Sequence, residues 1–390
     1  MAETFLHGVD LVEIDSGVRP IQTVRSAVIG VVGNAPDADP LAFPLNVPVM
    51  IAGSRREAAG LGATGTLPDA IDGIFDQAGA VVVVVRVEEG ETAQDAVSAV
   101  IGGVDAESGQ YQGLRALLAA EVEVGVTPRI IIAPGFSHEL SVATEMVSVA
   151  ERLRAITVID GPNTTDADAL AYRENFGSAR AYLVDPWVTV WDTEANADVI
   201  RPASDRVAGL IAKSDAERGF WHSPSNREIL GITGIARPVD FTLGDANSRA
   251  NLLNEKQVTT IIRKNGYRLW GNRSCSADPK WAFLKRRRIG DMIGDSIMRA
   301  HFWAVDRNIT TTYFEDVIAG VDNYLRTLKQ QQAIAGGRCW ADPDLNTPTN
   351  MEGGDVFFDF DFVEYGTAEH VNFRMHINSE YLADVLPVAA

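Results

Sequence analysis

The sequence contains no apolar run long enough to cross a bilayer: its longest, Gly79 to Val85, falls far short of the roughly 20 residues a membrane helix requires. Its start also lacks the basic n-region and long apolar h-region of a secretory signal. Together these absences predict a soluble chain with no direct membrane insertion. Cysteine is scarce, with only Cys275 and Cys339, far apart and in no CxxC, so no disulfide framework is expected and a reduced compartment fits. Positive charge is outnumbered, 34 Lys and Arg against 53 Asp and Glu, for a net charge of −19. That balance argues against general affinity for nucleic acid or anionic membrane, because a phosphate backbone needs a basic footprint.

Complete catalytic motifs are missing as well. Gly30 and Gly33 follow a strand, as a phosphate-binding turn would, but GVVG supplies neither GxGxxG nor the Lys-Ser/Thr of a P-loop. Asp15-Ser16-Gly17 imitates the Asp motif of subtilisin-type proteases, yet the His-Gly-Thr and Gly-Thr-Ser-Met partners of a triad do not follow. His138, before Glu139, reads as a residue at a helix start. His370 and His376 lie near Asp359, Asp361 and Glu364, but carboxylates alternating with Phe in FDFDF are the wet face of a half-buried strand rather than metal ligands. The acidic loop Asp160 to Asp168 lacks EF-hand spacing and reads as a turn into a helix N-terminus. No catalytic residue, cofactor or metal is expected.

What is present is a globular composition. At 390 residues with 46% hydrophobic content, two to three domains with real cores are expected. Strands are predicted at 27–32, 47–52, 80–87, 129–133, 156–160 and 181–184, and helices at 66–78, 93–101, 110–121, 138–154 and 167–176. This alternation spells βαβ units and a doubly wound α/β domain, with Ala80 to Val87, apolar on both faces, as a central parallel strand. After about Pro186 the rhythm gives way to a stretch rich in Gly, Asn, Arg and Trp. Two amphipathic helices follow, at 281–306 and 312–332. The strongly alternating run Val356 to Phe362, with Phe358 and Phe360 between, and the run Val371 to Ile377, with Phe373 and Met375, then read as a hairpin in an α+β module.

Both ends of the chain read as strands without partners. Phe5, Leu6, Val9, Leu11 and Ile14 mark one, and Tyr381, Leu382, Val385 and Leu386 mark the other, within Tyr381 to Val388. If other copies supply the partners, the chain is a polymer subunit. Charge is unevenly spread: Asn251 to Trp340 carries 15 Lys and Arg against 8 Asp and Glu, and Ala341 onward carries 1 against 10. Within the basic block, Lys285, Arg286, Arg287 and Arg288 are either a solvated helix face or a docking surface for an acidic protein, with Arg326 and Lys329 on the next helix.

At the level of longer strings, the chain resembles the tail sheath proteins of contractile phages of the P2 type and of the related R-type pyocins. The resemblance covers nearly the full length. It is densest from Asp160-Gly161-Pro162-Asn163 onward and includes FWHSPSN (Phe220 to Asn226), GITGIARPVDF (Gly231 to Phe241), the run Ala250 to Ser274, KWAF (Lys280 to Phe283), WAVDRNIT (Trp303 to Thr310) and ADPDLN (Ala341 to Asn346). It implies an outer α/β domain of subtilisin-like topology without protease function over 21–275 and an inner α+β domain over 276–378. It also implies an N-terminal arm over 1–20 and a C-terminal arm over 379–390 that add to a neighbour's hairpin by β-augmentation. The implied partners are further copies in stacked hexameric rings, an inner tail tube met by Lys285 to Arg288 or by Arg326 and Lys329, and baseplate and tail terminator proteins. The implied location is a virion tail assembled in the host cytoplasm. A sheath from a pyocin-like or cellular injection system, and an oligomeric α/β hydrolase-like enzyme, remain alternatives at this point.

Overall fold

The computed structural model describes residues 20–193 and 195–385. Its first half is built as the apolar spacing dictates: β1 (Ile29–Asn34), β2 (Pro48–Ala52), α1 (Thr66–Phe75), β3 (Val81–Val87), α2 (Ala93–Ile101), β4 (Ile130–Ile132), α3 (Leu140–Leu153), β5 (Ile156–Asp160), α4 (Asp166–Arg173) and β6 (Ala181–Val184). The strands form one six-stranded sheet in the order β2-β3-β1-β4-β5-β6. All neighbours are parallel except β2, which runs antiparallel to β3 at the edge. The expected central strand is therefore interior, with a parallel neighbour on one side only.

Alternate side chains of a strand point to opposite faces, and both faces of this sheet are covered. On one, Ile29, Val31, Val82, Val84, Ile130 and Ile132 pack with Leu67, Ile71 and Ile74 of α1 and with Val207 and Ile211 of α5 (Ser204–Arg218). On the other, Val32, Val83, Val85 and Ile131 pack with Val100 of α2 and with Val142, Met146 and Val149 of α3. Burial on both sides explains why Val81 to Val85 contains no polar residue. The predicted helix at 110–121 is instead a 3₁₀ stretch, Gly113–Ala119, running into a short α-helix, Ala120–Val124. Small antiparallel sheets decorate this body: β7 (Val188–Asp192) between β8 (Ala197–Arg201) and the short strand Gly234–Ile235, β9 (Thr260–Arg263) with β10 (Tyr267–Trp270), and the short pair Gly103–Val104 with Tyr111–Gln112.

The C-terminal unit is smaller. Helices α6 (Leu284–Ala300) and α7 (Thr311–Gln330) pack Ile289, Met292 and Ile293 against Val321, Tyr324, Leu325 and Leu328. A two-stranded sheet, β11 (Ile334–Ala341) with β12 (Phe358–Glu364), closes this core through Ile334, Cys339, Phe358 and Phe362. The fold is thus mixed α/β with a second, smaller α+β unit.

Candidate assembly interface

Strand β12 is the expected one, but its ladder partner is β11 rather than Val371–Ile377. Residues pair from Ala341↔Phe358 through Cys339↔Phe360 to Ile334↔Glu364, with a register shift between Ile334 and Gly336. Gly337 hides β11 in the sequence and is required there: a Cβ on it would stand 2.5 Å from the Asp361 carbonyl oxygen. The connection at 342–357, with its short helix Pro348–Glu352, is much longer than a tight turn. Val356 lies in that connection, ahead of the strand.

The two edges of this small sheet differ. On β11, the Cys339 N–H points away from β12 and donates to the Asp322 carboxylate of α7 at 2.7 Å. An acidic side chain therefore occupies the donor that an added strand would need on that side. The same bond makes Cys339↔Phe360 a non-hydrogen-bonded pair, so the alternation of an antiparallel ladder turns the backbone N–H and C=O of Phe358, Phe360 and Phe362 outward on β12. Among the described residues no strand lies along that edge. Asp359 and Asp361 are exposed, as the alternating pattern predicts, and Phe360 is itself partly uncovered.

Beyond β12, residues 371–378 carry no secondary structure and no strand partner among the described residues. Val371, Phe373, Met375 and Ile377 are 62%, 94%, 89% and 93% exposed. Four large apolar side chains at alternate positions thus stand largely in solvent, an exposure unusual for a monomer surface. The expected terminal strand at Tyr381–Val388 is not formed over its described part: Ser379–Val385 is a 3₁₀ helix, begun by the Glu380 N–H donating to Asn378 Oδ1 at 2.9 Å. A lone strand has no ladder to hold it, whereas this turn closes on its own side chain. Tyr381 and Leu382 are exposed. Leu386 and the N-terminal residues Phe5, Leu6, Val9, Leu11 and Ile14 lie outside the described residues.

The basic run is neither a solvated face nor a free docking surface. Lys285 Nζ donates to the Tyr365 carbonyl oxygen at 2.6 Å, and its burial lowers its pKa. Arg286 pairs with Glu364 and donates to the Lys280 carbonyl oxygen at 2.6 Å. Arg287 bonds Asp291 at 2.8 Å and lies over the Trp281 ring at 4.2 Å. Arg288, only 4% exposed, bonds Asp215 of α5 at 2.8 Å. Further along the helix, Asp291 receives both Arg180 nitrogens, at 2.6 and 3.0 Å, and Asp295 receives Arg154 at 2.6 Å. The sequence displays these charges, but Tyr365, Glu364 and Asp215, the partners of Lys285, Arg286 and Arg288, come from distant segments. Arg326 and Lys329, by contrast, are exposed on α7 and in no ion pair among the described residues.

The crevice at the carboxyl ends of the parallel strands, where α/β folds commonly hold ligands, is occupied by side chains of the chain itself. Asp160, fully buried at the end of β5, accepts from Ser137 Oγ at 2.9 Å and from the backbone N–H groups of Ala203 and Ser204 at 2.8 Å each, beside Ser204 Oγ. It thereby caps the start of α5, and burial pushes its pKa up. Asp185 similarly accepts from Arg237 at 2.5 Å and from the Asn163 N–H at 2.9 Å. Asp166 and Asp168 stand in the first turn of α4, as the acidic loop suggests. His138 packs edge-on against Trp187 with ring centroids 5.6 Å apart.

An α/β body with an occupied crevice, an open-edged hairpin and a bare alternating tail defines a structural assembly subunit. Its sequence matches the phage tail sheath protein central domain over 109–275, the phage tail sheath C-terminal domain over 276–378 and the Gp18 domain III N-terminal region over 26–87. The chain belongs to the family of phage tail sheath proteins. It is 47% identical to a prophage major tail sheath protein of Pseudomonas aeruginosa (strain UCBPP-PA14), over 99% of this chain and all of that one. It is 38% identical to the tail sheath protein of Escherichia phage P2, over 97% of each. Its fold superimposes on the contracted sheath of the extracellular contractile injection system PVC with a TM-score of 0.71 at 18% identity, covering 98% of this chain and all of that one. The contracted helical sheath of the anti-feeding prophage gives 0.71 at 19%, covering 96% and 100%.

Proposed function

We propose that the chain is the repeating subunit of a contractile sheath, polymerising as stacked hexameric rings around an inner tube and linked to its neighbours by strand exchange. The observation that carries this reading is the bare run Val371, Phe373, Met375, Ile377 on a chain whose own β12 edge stands open. The donated C-terminal strand is then Val371–Ile377 rather than Tyr381–Val388, and its acceptor is the β12 edge of another copy. Charge supports the match, because Arg374 and His376 alternate with the apolar set just as Asp359 and Asp361 alternate with Phe358, Phe360 and Phe362. The N-terminal arm, Phe5 to Ile14, adds to the same sheet from a further copy. Main-chain bonds make the joint while side-chain alternation fixes its register.

In this reading 21–275 is the outer domain, of subtilisin-like topology, and its crevice, filled by Asp160 and Asp185, serves packing rather than catalysis. Residues 276–378 are the inner domain. The free energy for contraction is stored at assembly, and domains move as rigid bodies while the exchanged strands keep neighbours tied. The subunit joins baseplate and tail terminator proteins at the ends of a virion tail assembled in the host cytoplasm; likeness to injection-system sheaths suits a headless particle equally well.

Negative-stain microscopy of the purified protein tests this directly. Long hollow tubes are expected, and discrete particles would overturn the reading. Deleting Met1 to Asp15 should leave a folded, soluble chain that forms no tubes.

With Lys285 to Arg288 engaged internally, contact with the tube falls to Arg326 and Lys329. Arg326→Glu with Lys329→Glu should leave tube-free polymer intact and remove the salt sensitivity of assembly on the inner tube, measured by sedimentation from low to high ionic strength. Unchanged salt dependence would reject these two contacts.

A further inference from the structure

Resting on the sheath reading, we infer that α6 is the common mount of both terminal arms and couples the direction in which one leaves the body to that of the other. The argument starts at the N-terminal side. Before entering β1, the chain crosses the C-terminal unit. The Val24 N–H donates to Ser296 Oγ of α6 at 3.1 Å, and Thr23 Oγ1 meets the Tyr324 hydroxyl at 3.0 Å. Arg288 of α6 donates to the Ser26 carbonyl oxygen at 3.3 Å, and Ile21 and Val24 pack on the core that Ile289, Met292 and Ile293 build. The N-terminal arm thus departs from a strap sewn to α6, not from the six-stranded sheet.

The C-terminal side is held by the first turn of the same helix. Lys285 and Arg286 grip Tyr365 and Glu364 as β12 ends. Arg273 then fastens Glu369 with two bonds, at 2.8 and 2.6 Å, while lying 5.1 Å over the ring of Phe283, the residue that precedes α6. Gly366 lies between these two grips, with open space where a Cβ would be. Among the described residues, Glu369 makes the last of these contacts before the bare run begins at Val371.

From Lys285 to Ser296 is about 17 Å at helical rise, so the two arms are anchored on one rigid rod. That rod is bolted to the larger unit by Arg180 on Asp291, Arg154 on Asp295 and Arg288 on Asp215. A pull on a C-terminal strand held by one neighbour therefore reaches the N-terminal strap held by another through α6, without deforming either sheet. The two grips at the C-terminal root are unlike. Lys285 and Glu364 are buried, whereas Arg273 and Glu369 are 38% and 39% exposed at the side chain. The inner grip is the fixed point, and the outer one sets the angle of exit.

The test uses the full-length chain. Arg273→Glu and Glu369→Arg singly, at a pair exposed enough not to threaten folding, should each raise the protein concentration needed for tubes by at least about fivefold, and the double swap should restore it to within about twofold. Singles that assemble like the parent, or a double that fails to recover, would overturn the exit-angle role. Coupling is read separately, by hydrogen exchange below the assembly threshold. Arg286→Gln with Glu364→Gln should speed exchange at the Val24 amide as well as at 365–370, and loosening of 365–370 alone would refute the shared mount. The parent chain, run in the same series, keeps the two apart: its failure to form tubes would reject the sheath reading and with it the exit-angle role, whereas the shared mount is decided by the exchange result alone.

Discussion

Phe373→Pro is expected to abolish tube formation while leaving the free subunit as stable as the parent. Phe373 is 94% exposed, and no hydrogen bond to its backbone is seen among the described residues. The free chain therefore loses almost nothing on substitution, within about 0.5 kcal/mol as for other surface changes away from special features. In an added strand the same residue sits in mid-ladder. Proline has no N–H to donate, and its ring excludes a neighbouring strand. Calorimetry of the unassembled protein and negative-stain microscopy at high concentration separate the two effects. A variant that melts like the parent and still forms tubes would remove Val371–Ile377 from the joint. Phe373→Ala is a useful companion, because it keeps the N–H and should weaken assembly without eliminating it.

Arg288→Met is expected to do the reverse and act on the subunit itself. Arg288 and Asp215 are both almost fully buried and face each other across α6 and α5. Removing the cation leaves a carboxylate whose side chain is only 2% exposed without its partner, a change that typically costs about 3–5 kcal/mol. Since small domains hold only about 5–15 kcal/mol in all, most or all of the folded population at moderate urea should be lost. Replacing both partners, Arg288→Met with Asp215→Leu, should recover much of that loss, because it is the orphaned charge rather than the missing attraction that destabilises. Urea melts of the parent, single and double variants measure this. A single variant within about 1 kcal/mol of the parent would mean that Asp215 finds other solvation.

These two cases show where the sequence is legible. Runs whose local composition decides their structure, such as Val81–Val87, Ala181–Val184 and the amphipathic spacing of Thr311–Gln330, are found where the pattern puts them. The partner of β12 is not, because β11 contains Gly336 and Gly337 and owes its place to packing against Leu325 and Leu328 rather than to alternation of its own. The basic run misleads for a related reason. Four consecutive cations look like a surface, yet Asp215 of α5 and Glu364 of β12 reach two of them from distant segments, and Asp291, one turn along α6, takes a third. Of the candidate joint, the alternation in Phe358–Phe362 and Val371–Ile377 was visible. That the two do not pair within one chain was not, since the competing partner is defined only by the fold.

The bare apolar run also bears on supply. Subunits that carry Phe373, Met375 and Ile377 in the open are sticky toward any unguarded β edge, their own kind first. With 19 excess negative charges, copies repel one another at a distance, which slows chance encounters and keeps a dilute pool in solution. The pool should therefore be sensitive to salt: raising ionic strength lifts that restraint, and spontaneous growth begins at a lower subunit concentration.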